Sequence, residues 1–411
     1  MKPTTKAKAI LLAVLFIFTF FFSNDFGLID VEKTSIITAI AIDLEDENYI
    51  ATAQIAVPEA TDTNTENQKA QISGKGSTIG AAIKDLGDTS GWFPKLSFCN
   101  LILIGNGFKD ANVIKVLDYF AKTLRVQDSA LVAMSEKKAS ELLELASPLD
   151  NISSFALQKI LLKTTGFDRD VAPTDIKTFC SLHYSKSGSA FMPLIKVIPS
   201  SIGKSSDEQG NSSGQESTES GKDTGSGGGS SGQDDKKNYL FDAKTTVLFK
   251  DGKMVGQLDE NMTLAFNALT DKFKGTTIPL NDVSGELSKN DNYLLTVMRA
   301  IPSIKVFAND NEITLKINLN LYCRISDHSA DGSSEALSEN KPLPKPVIDK
   351  AEEFFIQNIK EIVETSKQTD CDVLKVKEKL YRFKHKQYSR YKDNCLSVLT
   401  PEISVRVAGQ K

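Results

Sequence analysis

Chemistry in a protein usually shows as histidines, thiols or carboxylates at ligand or relay spacing, and this chain supplies few of them. Its three histidines, His183, His328 and His385, stand far apart. None belongs to an H-E-x-x-H or comparable metal-ligand pair. They read as ordinary surface or partly buried side chains. His183 lies in a helical stretch beside Leu182 and Tyr184, His328 in a polar loop, and His385 in a Lys/Arg-rich helix. The five cysteines, Cys99, Cys180, Cys323, Cys371 and Cys395, have no C-x-x-C spacing, so the signatures of zinc and redox sites are missing. In an oxidising setting Cys371 and Cys395 are candidates to pair. Five buried or free thiols is the plainer reading.

Gly74-Lys-Gly-Ser-Thr78 has the residue types of a phosphate loop in the wrong order. A P-loop needs its lysine after the second glycine and directly before the hydroxyl residue. The segment reads instead as the end of a strand with Ser77 capping a helix. No G-x-S-x-G elbow presents a serine nucleophile. Asp259-Glu260 follows a hairpin and starts a helix. Lys384, Lys386, Arg390 and Lys392, interleaved with Tyr381, Phe383, Tyr388 and Tyr391, form a basic aromatic cluster. Such a cluster suits nucleic acid or acidic lipid head groups, but a solvated helix face with inward-packing aromatics is the simpler account. Trp92-Phe93-Pro94 reads as a turn tucking Trp92 into the core, with an exposed aromatic anchor for a partner as the alternative. No residue is assigned as catalytic, cofactor-binding or metal-ligating, and no cofactor is expected.

The elements that would position any site are of both kinds. Thr34 to Asp43 and Tyr49 to Val57, rich in Ile, Thr and Ala, read as two strands joined by a polar turn. A helix over Ser77 to Leu86, a strand over Ser97 to Ile104 and a helix over Lys109 to Leu124 follow. Next come a strand at Ala130 to Met134, helices over 137–146, 152–163 and 174–184, and a strand over Phe191 to Ile198. Ala243 to Phe249 and Met254 to Leu258 flank Asp251-Gly252, a strong hairpin signal. Asn261 to Phe273 looks helical. Tyr293 to Phe307 and Glu312 to Ser326 are extended segments joined at Asn309-Asp-Asn311. Pro346 opens an amphipathic helix with Ile348, Ala351, Phe355, Ile359 and Ile362 on one face. A second helix is expected from Val373 to Tyr391, and Glu402 to Val407 alternates as a half-buried strand.

Two segments do not look globular. Ser200 to Asn238 contains Ser226-Gly-Gly-Gly-Ser-Ser-Gly232 and almost no apolar residues. Such a segment cannot offset its chain entropy by burial, and it reads as a flexible linker between independent domains. At the other extreme, Ala9 to Phe22 is a run of apolar residues, preceded by Lys2, Lys6 and Lys8 and followed by Asp25, Asp30 and Glu32. That asymmetry predicts a cytoplasmic N-terminus with everything after the run outside. As a helix the run spans about 21 Å, short of a ~30 Å hydrocarbon core and suited to a secretory signal. Yet it ends in Phe20-Phe21-Phe22, bulky rings where a cleavage site needs small residues. No cysteine near it would accept lipid. An uncleaved signal-anchor is the preferred reading, a cleaved signal the alternative.

The net charge of −4 gives no electrostatic footprint for nucleic acid. The 411 residues, less anchor and linker, are enough for two or three domains with cores of their own. The expected division is 1–30 anchor or signal, 31–199 N-terminal domain, 200–238 linker, 239–308 middle domain and 309–411 C-terminal domain. The expected class is α+β.

The same residues resemble a family. Glu32-Lys-Thr-Ser-Ile-Ile-Thr-Ala-Ile-Ala-Ile-Asp43 followed by Tyr49-Ile-Ala-Thr-Ala-Gln54 resembles the opening of the C subunits of spore germinant receptors, the Ger(x)C family. Leu101-Ile-Leu-Ile-Gly105, Ala190-Phe-Met-Pro-Leu-Ile195 and the hairpin Thr246 to Leu258 resemble its later strands. The helix from Pro346, the Asp370-Cys-Asp-Val-Leu374 step and the final strand resemble its C-terminal domain. The chain departs from the family where a lipoprotein cysteine is usual, having Asn24 and Asp25. The resemblance implies three mixed α/β domains, no enzymatic activity, and a place on the outer face of the spore inner membrane. It implies partners as well: a membrane-embedded A subunit and a permease-like B subunit, in a complex that triggers spore germination in response to small nutrients. Two other classes compete: an extracytoplasmic solute-binding protein of a transporter, and a cell-wall-directed enzyme.

Overall fold

The Ile-, Val- and Thr-rich runs of the first half assemble into one sheet, and the long extended segments of the second half into another. In the computed structural model the described residues are 12–16, 34–56, 69–123, 126–145, 147, 150, 152–162, 170–199, 239–270, 275–283, 291–309, 312–329 and 342–409. The linker expected at 200–238 lies outside them. So does the apolar run, apart from 12–16, which are helical. Among the described residues no helix is long and apolar enough to cross a membrane.

Strands β1 (Thr34–Glu45) and β2 (Asn48–Ala56) form a hairpin. Asp46 and Glu47 turn it with φ of 48° and 64°, the positive values that a two-residue hairpin turn requires. Strand β3 (Lys69–Gly76) pairs β2 and leads into α1 (Ile79–Ser90). After β4 (Phe93–Lys95), the chain alternates through β5 (Leu101–Ile104), α2 (Ile114–Lys122), β6 (Leu131–Ser135), α3 (Ala139–Glu144) and α4 (Ser153–Leu162). Then come β7 (Thr174–Asp175), α5 (Ile176–His183) and β8 (Ser189–Pro199). Beyond the linker lie β9 (Tyr239–Lys250), β10 (Lys253–Leu258), α6 (Glu260–Leu269), β11 (Thr276–Val283), β12 (Asp291–Ala308) and β13 (Ile313–Ser329). The chain ends with α7 (Lys345–Gln368), α8 (Val376–Phe383), α9 (His385–Tyr391) and β14 (Leu399–Gly409).

The larger sheet has ten strands in the order β10-β9-β8-β6-β5-β1-β2-β3, with β4 against the start of β1 and β7 against β6. Its centre, β1, β5, β6 and β8, is parallel. All residues of β5 and β6 are buried, as expected of parallel strands covered on both faces. The alternation sends Ile40, Ile42, Ile102 and Ile104 to one face and Ala39, Ala41, Leu101 and Leu103 to the other. The smaller sheet runs β11-β12-β13-β14, with β14 parallel to β13 after a helical crossover. Helix α7 opens with proline in its first turn and buries Ala351, Phe355, Ile359 and Ile362, the face its periodicity predicts. These side chains join the Ile40 face of the larger sheet in one continuous apolar core. The α+β class is as the sequence indicates.

Several expectations need correction. The segments flanking the linker are not independent bodies: β8 and β9 are adjacent antiparallel strands of the larger sheet, paired from Ser189↔Lys250 to Pro199↔Tyr239. The boundary drawn at 308/309 falls in the turn of the β12–β13 hairpin, whose register runs from Asn292↔Ser329 to Ala308↔Ile313. The helix expected over 373–391 breaks at Lys384 (φ −143°, ψ 55°) into α8 and α9. Strand β11 was not expected, since Pro279 interrupts its alternation. The strand expected from Ser97 starts only at Leu101, because Leu96–Phe98 turns as a 3-10 helix.

Candidate functional site

The residues with chemical potential are not brought together. His183 is half-buried, edge-on to Tyr184 at 4.8 Å. Burial lowers its pKa, and the carboxylates of Asp251 and Asp118 oppose that. Beside it, the Tyr184 hydroxyl donates to Asp118 Oδ2 at 2.6 Å. That bond, more than burial, pushes the phenol up to about 12. Burial alone would raise the Asp118 carboxyl, but bonds from Lys122 and Tyr184 hold it below the usual range. His328 sits in β13, not in a loop. It stacks on Tyr293 at 4.4 Å, with Nε2 3.7 Å from Asp291 Oδ2. His385 begins α9 beside Tyr381 and Tyr388. All five cysteines are free thiols. Burial pushes Cys99, Cys323, Cys371 and Cys395 up to about 12 and the half-buried Cys180 to about 11, so each is protonated and a poor nucleophile near neutral pH. Among the described residues no cluster of His, Cys, Asp and Glu could hold a metal ion.

The glycine loop is a packing joint. A Cβ at Gly74 would lie 2.3 Å from backbone atoms of Ala82 and Leu86, and one at Gly76 2.5 Å from the Ala82 nitrogen. Only glycine lets β3 lie this close under α1. The helix is capped by Thr78, which accepts from the Ala81 N–H at 3.1 Å, rather than by Ser77. Asp259 caps α6, accepting from the Met262 N–H at 2.8 Å.

What the fold does assemble is a polar clasp between the two sides of the linker. The Asp372 carboxylate, 1% exposed, accepts from Ser187 Oγ at 2.6 Å. It also accepts from the N–H groups of Val376 and Lys377, both at 2.7 Å. Those amides open α8, so the carboxylate serves as its cap from outside the helix. In return the Asp372 N–H donates to Ser189 Oγ at 2.8 Å. The thiol of Cys371 donates to the Phe249 carbonyl at 3.4 Å. Lys250 Nζ donates to the Ser187 carbonyl at 3.2 Å and lies 3.8 Å from Asp370. A buried carboxylate is tolerated only with its hydrogen bonds made, and here they come from both halves of the chain.

Other residues singled out by the family resemblance are joints of the same kind. Asp43 accepts from the N–H groups of Ala139 and Ser140 at 2.7 and 2.9 Å, holding α3 against β1. A Cβ at Gly105 would lie 1.8 Å from Asp43 Oδ1, so the glycine makes room for that contact. Gln54, fully buried, donates to the Leu143 carbonyl and accepts from the Ser154 N–H, both at 2.9 Å. Gly252 (φ 81°) turns the β9–β10 hairpin, and its carbonyl accepts from the Val113 N–H at 2.9 Å. Sequence reasoning found these positions as pattern and missed their roles, because each partner lies far away in the chain.

Both aromatic segments singled out in the sequence present rings to solvent. One is at the mouth of β1, where Trp92 is 47% and Phe98 51% exposed. The turn that was expected to tuck Trp92 inward leaves it outside. The other is the basic aromatic stretch. Tyr391 packs inward as expected, but Phe383 is 77% exposed and Lys186 lies 4.9 Å over the Tyr381 ring.

Residues 28–197 match the family described as spore germination protein N-terminal domain, and residues 244–408 that described as spore germination B3/GerAC-like, C-terminal. A solved structure, "Crystal Structure of the GerBC protein", is similar at 14% identity and a TM-score of 0.49, over 93% of this chain and all of that one. A comparison with curated protein sequences finds no match.

Proposed function

The chain belongs to the Ger(x)C family of spore germination proteins, and on that premise we propose that it is a non-enzymatic subunit of a nutrient germinant receptor. It works on the outer face of the spore inner membrane, held by its N-terminal apolar run and assembled with the membrane-embedded A and B subunits. The observation that carries this reading is the match of both halves to spore germination families. The physical character of the joints agrees with it. Asp43, Gln54, Gly105 and Asp372 hold elements together. The nutrient acts through the complex. Deleting the gene and scoring spores across a panel of nutrients tests the proposal. At least one nutrient response is lost and is restored by the full chain but not by a chain ending at residue 238. Spores that keep every response, or turnover of a substrate by the purified chain, would refute it.

A further inference from the structure

Helix α1 ends at Gly91 (φ 70°), and a Cβ there would meet nothing. The chain then turns outward through Trp92 into β4, which lies parallel to the first residues of β1, Thr34↔Phe93 to Ile36↔Lys95. Paired residues of parallel strands point to the same face. Pro94 faces inward, its Cδ 3.2 Å from the position of a Gly87 Cβ. The opposite face therefore carries Ile36, Phe93 and Lys95. Ile36 and Phe93 are each 39% exposed, and Lys95 Nζ lies 5.8 Å from the centre of the Phe98 ring. This foot is framed, not loose. The Trp92 N–H donates to Ser90 Oγ at 3.2 Å, and Leu96 and Cys99, on either side of Phe98, are 3% and 0% exposed. A fold that buries Leu96 and Cys99 while presenting Trp92 and Phe98 keeps those rings for a surface.

The foot's position in the chain selects that surface. It is built on the first residues of β1, and the apolar run ends at Phe22. Residues 23–33 reach at most ~40 Å fully extended. The foot is thus tethered close to the membrane that the run enters. Trp and Phe with a neighbouring Lys is the composition that settles between acyl chains and phosphates. An interfacial contact of this kind is a second attachment beside the one the run supplies.

We propose that the foot formed by Ile36, Trp92, Phe93 and Phe98, with Lys95 at its edge, docks into the head-group and upper acyl region of the phospholipid bilayer as this second attachment. The proposal rests on the membrane tethering given under Proposed function. Trp92 is the only tryptophan of the chain, so its fluorescence reports on the foot alone. The test uses the full chain in phosphatidylglycerol/phosphatidylethanolamine vesicles, with and without phospholipid brominated near the top of the acyl chain. Trp92 emission shifts to the blue, is quenched by the brominated lipid and is shielded from aqueous acrylamide. Phe98→Ser and Ile36→Ser each weaken the bromine quenching. Phe98→Ser leaves the thermal transition in place, which separates docking from folding. Trp92 open to acrylamide and indifferent to bromine would overturn docking while leaving the receptor role intact. So would shielding from both quenchers, the mark of a covering protein segment, or a bromine effect that needs the other receptor subunits. Release of the chain from the vesicles by carbonate would instead refute the tether itself.

Discussion

At the clasp, Ser187, Ser189 and Asp372 are at most 2% exposed and hydrogen-bonded to one another across the linker; at the foot, Trp92 and Phe98 leave about half of their surface in water. The clasp places polar groups where apolar ones are cheaper, and the foot places apolar groups where polar ones are cheaper. Each departure from the usual distribution marks a junction. The clasp is satisfied within the chain, and so it belongs to folding. The foot is not, and so it belongs to assembly at a surface.

Substitutions at the two regions should therefore separate stability from attachment. Asp372→Ala has the largest expected effect. It orphans the Ser187 hydroxyl and two amides in a buried site, at ~1–3 kcal/mol for each unsatisfied group. Its denaturant midpoint should fall sharply, and Asp372→Asn should recover part of the loss. Next is Gly105→Ala, which must displace the Asp43 carboxylate from α3. The overpacking costs ~1–3 kcal/mol, seen as a lower thermal midpoint, and a loss as small as that of a surface variant would break the account of the joint.

Third is the response to alkali. Burial raises four thiols from the ordinary value of 9.0 to about 12. Thiols kept neutral in the folded state favour it fully below the unfolded pKa. That contribution is lost as pH rises from about 9 towards 12. Urea melts across this window should show falling stability, and below it a thiol reagent should label the native chain at Cys180 first. Smallest is Phe98→Ser, which should move stability by no more than ~0.5 kcal/mol while weakening membrane attachment.

Much of the fold was legible locally. Asp251-Gly252 announces its hairpin because few residues accept positive φ, and both do here, at 51° and 81°. Pro346 marks the start of α7 because its missing N–H costs nothing in a first turn. The pairing of β8 with β9 was not legible, since the residues between them have the composition of a spacer, and composition says nothing about whether the flanking strands meet. Lys384 breaks α8 from α9 with no glycine or proline to signal it. The clasp was hidden because Ser187 and Asp372 are 185 positions apart. The direction of Trp92 is set by the left-handed Gly91 and by the strand that follows, neither of which shows in the tryptophan's own neighbourhood.

The central claim is that the segments before and after 200–238 form one folded body, joined by the β8–β9 ladder, the shared core and the Asp372 clasp. Introducing a protease site within 200–238, cutting the folded full-length chain there and passing it over a sizing column tests this most directly. The account predicts that the two fragments elute together at the size of the uncut chain and unfold in a single transition. Fragments that separate without denaturant, or that melt independently, would contradict it.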